Sequence, residues 1–362
     1  MTVDAKHMQQ ALQLAANGRG KTSPNPMVGA VVTGSDGRIA GTGHHERAGG
    51  PHAEIQALQA AGQLSAGGTL YCTLEPCCHH GRTGPCTEVI VAAGIKRVVL
   101  ATLDPNPLVH GNGVAYLRKH DIGVDVGLYE KEAKQLNCTF FTWAVKGRPF
   151  VTMKVALSLD GCLGRKEQAR TKLTSQRADS YVHGLRGEVD AIAVGSNTIL
   201  VDDPLLTVRH AVRDRPLTRV VFDRRLRVSP SARLFGTREA GPIVLITTEA
   251  QCERGLDRVQ ALRDVGADIE ILTETDDMSV ALRRLGRREI TCLLVEGGKS
   301  IHQALWGQRH VDRVNMFIAP IRLGVDGKRW LNPDLVIKEL SGIKISNFGP
   351  DMLVEGDVYR NH

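Results

Sequence analysis

Pro51-His52-Ala53-Glu54, and further along Pro76-Cys77-Cys78-His79-His80-Gly81-Arg82-Thr83-Gly84-Pro85-Cys86, are the stretches on which the reading of this chain turns. A histidine and two cysteines supply three protein ligands to zinc, and a catalytic zinc keeps its fourth position open to water where a structural site closes it. Glu54, two residues past His52, then carries protons between that water and a leaving amine.

His-x-Glu followed by Pro-Cys is the pattern of zinc-dependent base deaminases, in which the glutamate is not a ligand. That pattern usually continues Cys-x-x-Cys, whereas eight residues separate Cys77 from Cys86 here. Three other readings stay open. A His-Ala-Glu tripeptide also occurs on ordinary helix surfaces; a structural zinc would take a fourth ligand from Cys78, His79, His80, His44 or Cys72; a disulfide would need an oxidising compartment that nothing in the sequence indicates.

Working outward, the first region alternates helical and strand patterns, which predicts a layered α/β domain. Helical spacing over 6–17 is followed by strand patterns over 27–32 and 38–43 around a Gly34-Ser35-Asp36-Gly37 turn. A helix over 52–61 puts His52 and Glu54 in its first turn, 68–74 is strand-like, and Cys77 opens the next loop or helix. Two element starts thus meet at one end of a sheet, where α/β sheets place their ligands. A short strand over 96–103 leads into the turn Asp104-Pro105-Asn106-Pro107, and a strand over 124–128 leads into a helix over 130–139. The segment Trp143-Ala144-Val145-Lys146-Gly147-Arg148-Pro149 interrupts the periodicity, giving domains 1–145 and 146–362.

The second half reads as a mostly parallel sheet, with strands over 150–157, 190–195, 219–223, 242–247, 269–272 and 291–295 and a helix over 175–188 capped by Thr174 or Ser175. Two loops follow strands, 195–204 and Glu296-Gly297-Gly298-Lys299-Ser300. Glycines between a strand and a helix let backbone amides approach a phosphate. Neither the P-loop nor the Gly-x-Gly-x-x-Gly spacing is present. The residues alone give this half an anion site and no assignable reaction.

A chain of 362 residues, 42% hydrophobic and 23% charged, suits two globular domains. The net charge of +7 suits an anionic partner. No dense Lys/Arg tract is interleaved with aromatics, which are 4% of the chain, and this argues against single-strand nucleic-acid binding. Arg283-Arg284 and Arg287-Arg288 read as solvated helix faces. The N-terminus lacks an apolar signal core, no apolar run reaches the roughly 18 residues of a membrane span, and eight irregularly spaced cysteines fit a reducing compartment, so a cytoplasmic protein with no membrane partner is expected.

The whole chain resembles the bifunctional deaminase/reductase family of riboflavin biosynthesis. The resemblance rests on Pro24-Asn25-Pro26 with Val28-Gly29, Pro51-His52-Ala53-Glu54, Thr73-Leu74-Glu75-Pro76-Cys77, His79-His80-Gly81-Arg82-Thr83, Cys86 and Asp104-Pro105-Asn106-Pro107. In the second half it rests on Lys154, Ser158-Leu159-Asp160-Gly161, Asp202-Asp203-Pro204-Leu205-Leu206-Thr207-Val208-Arg209 and Val295-Glu296-Gly297-Gly298. It implies an N-terminal cytidine-deaminase-like three-layer α/β domain and a C-terminal dihydrofolate-reductase-like domain. The implied reactions are deamination of a diamino-ribosylamino-pyrimidinone 5′-phosphate and NADPH-dependent reduction of its ribosyl group to ribityl.

By position the resemblance makes His52, Cys77 and Cys86 the zinc ligands, Glu54 the proton shuttle, and Asn25, His44, His79 and Arg82 contacts to the phosphorylated pyrimidine. In the reductase it implies substrate contacts from Lys154, Arg186, Leu206, Arg209 and Glu296, and cofactor contacts from Leu157, Lys172, Thr198, Asp202, Gly297 and Gly298. Arg186 and Arg209 could form bidentate phosphate contacts. A homo-oligomer without nucleic acid is expected. Two departures stand out: Arg170-Thr171-Lys172-Leu173-Thr174-Ser175 lacks the family's Trp, and Cys78 stands where Ser is usual. The first motivates a competing reading, a deaminase with a degenerate reductase half; a nucleic-acid base deaminase is the other.

Overall fold

The structure, a computed structural model, describes residues 2–78, 84–107, 109–166, 171–209 and 213–358. The chain divides into two compact units, Met1–Gly147 and Arg148–His362. Among the described residues no helix is long and apolar enough to cross a membrane.

The first unit runs α1 (Val3–Ala16), β1 (Gly29–Thr33), β2 (Ile39–His44), α2 (Ala53–Ala61), β3 (Thr69–Cys72), α3 (Cys86–Ala92), β4 (Arg97–Leu100), α4 (Asn112–Lys119), β5 (Gly123–Val126), α5 (Glu130–Leu136) and α6 (Cys138–Lys146). Its sheet has the order β2-β1-β3-β4-β5, antiparallel on both sides of β1 and parallel from β3 to β5. Strand alternation makes three layers. Ala30 and Val32 pack with Ala53, Ala57, Leu58 and Ala61 of α2, whereas Val31 packs with Met8 and Ala11 of α1. On β2 the α2 face is bare glycine: a Cβ on Gly41 would lie 2.2 Å from the Ala57 oxygen, and one on Gly43 would lie 2.5 Å from the Ala53 oxygen. Missing side chains therefore bring the α2 backbone onto the sheet and set where its first turn begins.

Two sequence expectations shift here. The single helix over 130–139 is two, divided at Asn137, whose buried amide accepts from the Met27 N–H at 2.8 Å and donates to the Met27 oxygen at 2.8 Å. The interruption expected from Trp143 onward is helical: α6 continues through Lys146 and stops at Gly147, whose φ of +63° takes the left-handed conformation that ends helices.

The second unit runs β6 (Phe150–Ser158), β7 (Cys162–Arg165), α7 (Gln176–Glu188), β8 (Ala191–Gly195), α8 (Ser196–Asp202), β9 (Thr218–Phe222), β10 (Ile243–Thr248), α9 (Glu249–Arg254), α10 (Leu256–Asp264), β11 (Ala267–Leu272) and α11 (Met278–Arg287). It continues with β12 (Cys292–Gly297), α12 (Lys299–Gly307), β13 (Arg313–Ala319), β14 (Gly327–Arg329), α13 (Pro333–Lys338), β15 (Leu340–Phe348) and β16 (Asp351–Val358). The large sheet has the order β11-β10-β9-β8-β12-β6-β13-β16-β15. It is parallel from β11 to β13, and β16 and β15 add to it antiparallel.

Ser175 caps α7 by accepting from the Ala178 N–H. Asp312 accepts both Arg148 Nη–H groups, at 2.6 and 2.8 Å, and the Val151 amide at 2.8 Å, which ties the start of β6 to that of β13. The expected loop over 195–204 contains α8. The arginine clusters of α11 are not simply solvated, since Arg284 and Arg288 both bond Glu270 of β11.

Candidate functional site

In the first unit two helices begin at the candidate metal ligands. His52 is the N-cap of α2, and Cys86 is the first residue of α3, behind Pro85. Cys77 lies on the segment that follows β3. The donor atoms of His52, Cys77 and Cys86 all lie within 4.8 Å of one another. His52 Nδ1 is 3.1 Å from Cys86 Sγ and 3.5 Å from Cys77 Sγ. A tetrahedral zinc with ordinary Zn–N and Zn–S bonds needs N···S edges of about 3.5 Å. One imidazole nitrogen and two sulfurs at this spacing therefore fit zinc.

The hydrogen bond with Cys86, then that with His52, lowers the Cys77 pKa, while the hydrogen bond with Cys77 and burial push that of Cys86 up. Among the described residues the cluster has these three members. Cys72, Cys78 and His44, weighed as a fourth ligand, stand outside it, and His79 and His80, weighed with them, lie outside the described residues.

Glu54 is 4% exposed in the first turn of α2, and burial raises its carboxyl pKa. A carboxyl group so placed exchanges a proton nearer neutrality than a solvated one. Two residues before Cys77, Glu75 ties its own segment to the loop after β4 and the start of α4. Its carboxylate accepts the backbone N–H groups of Asp104 at 3.2 Å, Gly111 at 2.9 Å and Val114 at 3.1 Å. The Asp104 carboxylate in turn accepts the Asn106 amide at 2.8 Å.

The expected pyrimidine contacts divide. Asn25 is half-buried, with Nδ2 3.1 Å from His45 Nε2. His44 ends β2 opposite Gly29. His79 and Arg82 lie outside the described residues. Sequence reasoning missed His45, which is 2% exposed, bonds both Asn25 and the Pro51 oxygen, and packs edge-on to His52 with ring centroids 5.5 Å apart. The doubled His44-His45 was the available signal.

In the second unit a charged cluster forms at the C-terminal end of β12 and beneath α7. Arg186 grips Glu296 with Nε–H to Oε1 at 2.6 Å and Nη2–H to Oε2 at 2.7 Å, and gives Nη1–H to the Thr207 oxygen at 2.9 Å. Arg186, expected to meet the substrate, clamps a carboxylate of its own chain in this structure. Burial works against ionised Glu296, but Arg186 and Lys154 outweigh it and hold its pKa below the usual value. Lys154 on β6 has its ammonium pKa lowered by burial.

Across from Glu296, Gly298 carries no side chain where a Cβ would stand 3.4 Å from Thr198 Oγ1. The φ of +144° at Gly297 excludes other residues. This bare backbone cradle at the start of α12 fits a dinucleotide phosphate. The other expected contacts differ in exposure. Leu157 and Leu206 are 1% and 3% exposed core residues, so their side chains are unavailable to a ligand, and Leu206 holds a left-handed φ of +54°. Arg209 and Asp202 are exposed. Lys172 is an exposed partner of Asp179 at 3.4 Å.

Residues 1–102 match the cytidine and deoxycytidylate deaminase zinc-binding region, and residues 149–354 match the RibD C-terminal domain. The riboflavin biosynthesis protein RibD of Aquifex aeolicus (strain VF5) is 41% identical over 358 residues, 97% of this chain and 98% of that protein. The riboflavin biosynthesis protein RibD of Escherichia coli (strain K12) is 38% identical over 340 residues, 90% of each. Among solved structures, Acinetobacter baumannii RibD (form 1) superposes with a TM-score of 0.86 at 32% identity, covering 99% of both chains. The diaminohydroxyphosphoribosylaminopyrimidine deaminase/5-amino-6-(5-phosphoribosylamino)uracil reductase of Thermotoga maritima gives 0.83 at 34% identity, again covering 99% of both.

Proposed function

The chain belongs to the RibD family of riboflavin biosynthesis proteins, and on that premise we propose how its own residues divide the two reactions. Residues 1–145 deaminate the diamino-ribosylamino-pyrimidinone 5′-phosphate, and residues 146–362 reduce its ribosyl group to ribityl. The observation that carries the reading is the three-donor cluster within 4.8 Å, with Glu54 buried two residues beyond His52.

His52, Cys77 and Cys86 would hold the zinc, which when bound supplies a water acidic enough to attack near neutral pH. Glu54 takes the proton released as the new C–O bond forms and passes it to the amine as the C–N bond breaks, so that ammonia leaves. Asn25, His44, His79 and Arg82 orient the pyrimidine nucleotide.

In the second unit, NADPH would lie against Thr198, Gly297 and Gly298 and supplies the hydride when bound. Lys154, whose burial lowers its ammonium pKa, gives up the proton that the ribosyl ring oxygen needs as the ring opens. Glu296 faces the same substrate, held in place by Arg186. Leu157 and Leu206 contribute through backbone atoms only, and Lys172, Asp202 and Arg209 through the exposed rim. The basic chain suits these phosphorylated ligands. A cytoplasmic location and a homo-oligomer belong to the same proposal, the second testable by light scattering.

Zinc content measured with ammonia release from the nucleotide, with and without NADPH, tests the whole reading. About one zinc per chain, ammonia without NADPH, and NADPH oxidation once deaminated substrate is present are expected. Ammonia without NADPH oxidation would instead support the degenerate reductase, and turnover of an oligonucleotide but not the nucleotide would support the base deaminase.

A further inference from the structure

His45 Nδ1 lies 3.0 Å from the Pro51 carbonyl oxygen, and its Nε2 lies 3.1 Å from Asn25 Nδ2. A carbonyl oxygen only accepts, so Nδ1 carries the hydrogen; in the neutral ring Nε2 is then an acceptor, and whatever faces it must donate. Only the NH2 end of the Asn25 amide donates. His45 therefore decides which way round that amide lies, and Asn25 Oδ1 is left without a partner among the described residues.

We propose that His45 is a positioning residue of the deaminase: by fixing the Asn25 amide it makes the site offer a hydrogen-bond acceptor, so the substrate group seated there is an N–H or O–H donor. This rests on Asn25 touching the substrate. The competing role is purely local, because Pro51 precedes His52 and the His45 ring packs on that ligand.

Two substitutions separate the roles. His45→Gln keeps an acceptor near the place of Nε2 and loses Pro51; His45→Asn keeps a donor near the place of Nδ1 and loses Asn25. Steady-state deamination is measured on both, on Asn25→Ala, and on His45→Asn with Asn25→Ala, each with zinc content. His45→Asn is expected to raise KM about tenfold with zinc retained and kcat within about twofold, while His45→Gln stays within about threefold of the parent. In the Asn25→Ala background His45→Asn should add nothing. Additive effects, or His45→Gln losing zinc while His45→Asn behaves as the parent, overturn the proposal. So does an NMR assignment of the ring hydrogen to Nε2, which needs no activity. A parent protein that binds zinc but leaves the nucleotide untouched overturns the deaminase reading instead.

Discussion

Arg186→Leu removes the cation that holds Glu296. Three hydrogen bonds go with it, two of them a bidentate clamp at 2.6 and 2.7 Å and the third to the Thr207 oxygen. Both side chains are about one-tenth exposed, so Glu296 would keep a buried charge with only the weaker pull of Lys154 and His183 beside it among the described residues. Removing one partner of a buried pair costs about 3–5 kcal/mol. For a unit of this size each kcal/mol moves Tm by about 2–4 °C, so calorimetry should show the second unit melting about 6–20 °C lower.

The double variant Arg186→Leu with Glu296→Leu, which leaves no orphaned charge, should recover most of that loss while lacking NADPH oxidation. The acid side adds a check. The folded pKa of Glu296 is depressed, so its contribution is complete above the unfolded value near 4.3 and disappears as pH falls through the folded one. Arg186→Leu should abolish that fall. A single variant that melts within about 2 °C of the parent, or a double variant no better than the single, would refute the role of the pair.

Glu54→Ala should retain zinc by elemental analysis and lower deamination by about 10²–10⁴-fold; loss of metal would make Glu54 part of the scaffold instead. Gly43→Ala puts a Cβ 2.5 Å from the Ala53 oxygen and should displace the first turn of α2, weakening zinc binding by about 10–100-fold in a chelator competition. Metal removal by a chelator should end ammonia release and leave NADPH oxidation with deaminated substrate unchanged, as two separate sites require.

The sequence shows the metal centre well because its chemistry needs rare residue types, and the three donors, far apart in the chain, meet as their identity demands. The helix that carries His52 was also legible, bounded by Pro51 and Gly62, but α3, which Cys86 opens, was not. What stayed hidden was whatever depends on tertiary partners. Asn137 breaks a helix because Met27 offers it both halves of an amide pair, and nothing near position 137 announces that. β13 reads Arg-Val-Asn-Met-Phe-Ile-Ala and is buried on both faces, which erases the alternation that marks a strand. β15 is an exposed edge strand with polar residues on both faces, so it shows no alternation either.

Arg186 shows most plainly why a residue's type does not settle its role. Guanidinium geometry suits phosphate and carboxylate equally, so an arginine set among motif residues of a phosphate-using enzyme reads as a ligand clamp. The fold decides otherwise by bringing Glu296 to the end of β12 beneath α7, where an ionised carboxylate is stable only if its counter-charge is already present. With Arg186 committed there, action on substrate falls, on the proposed reading, to Lys154, whose ammonium pKa burial lowers, and to the carboxylate whose position Arg186 sets. On the proposed reading substrate phosphate is met elsewhere, and among the described residues Arg209 is an exposed cation next to the Thr207 oxygen that Arg186 holds. Arg209→Ala should therefore raise KM for the phosphorylated substrate with little change in kcat or Tm, the reverse of Arg186→Leu; a fall in Tm comparable to that of Arg186→Leu would show that Arg209 too is spent on the fold.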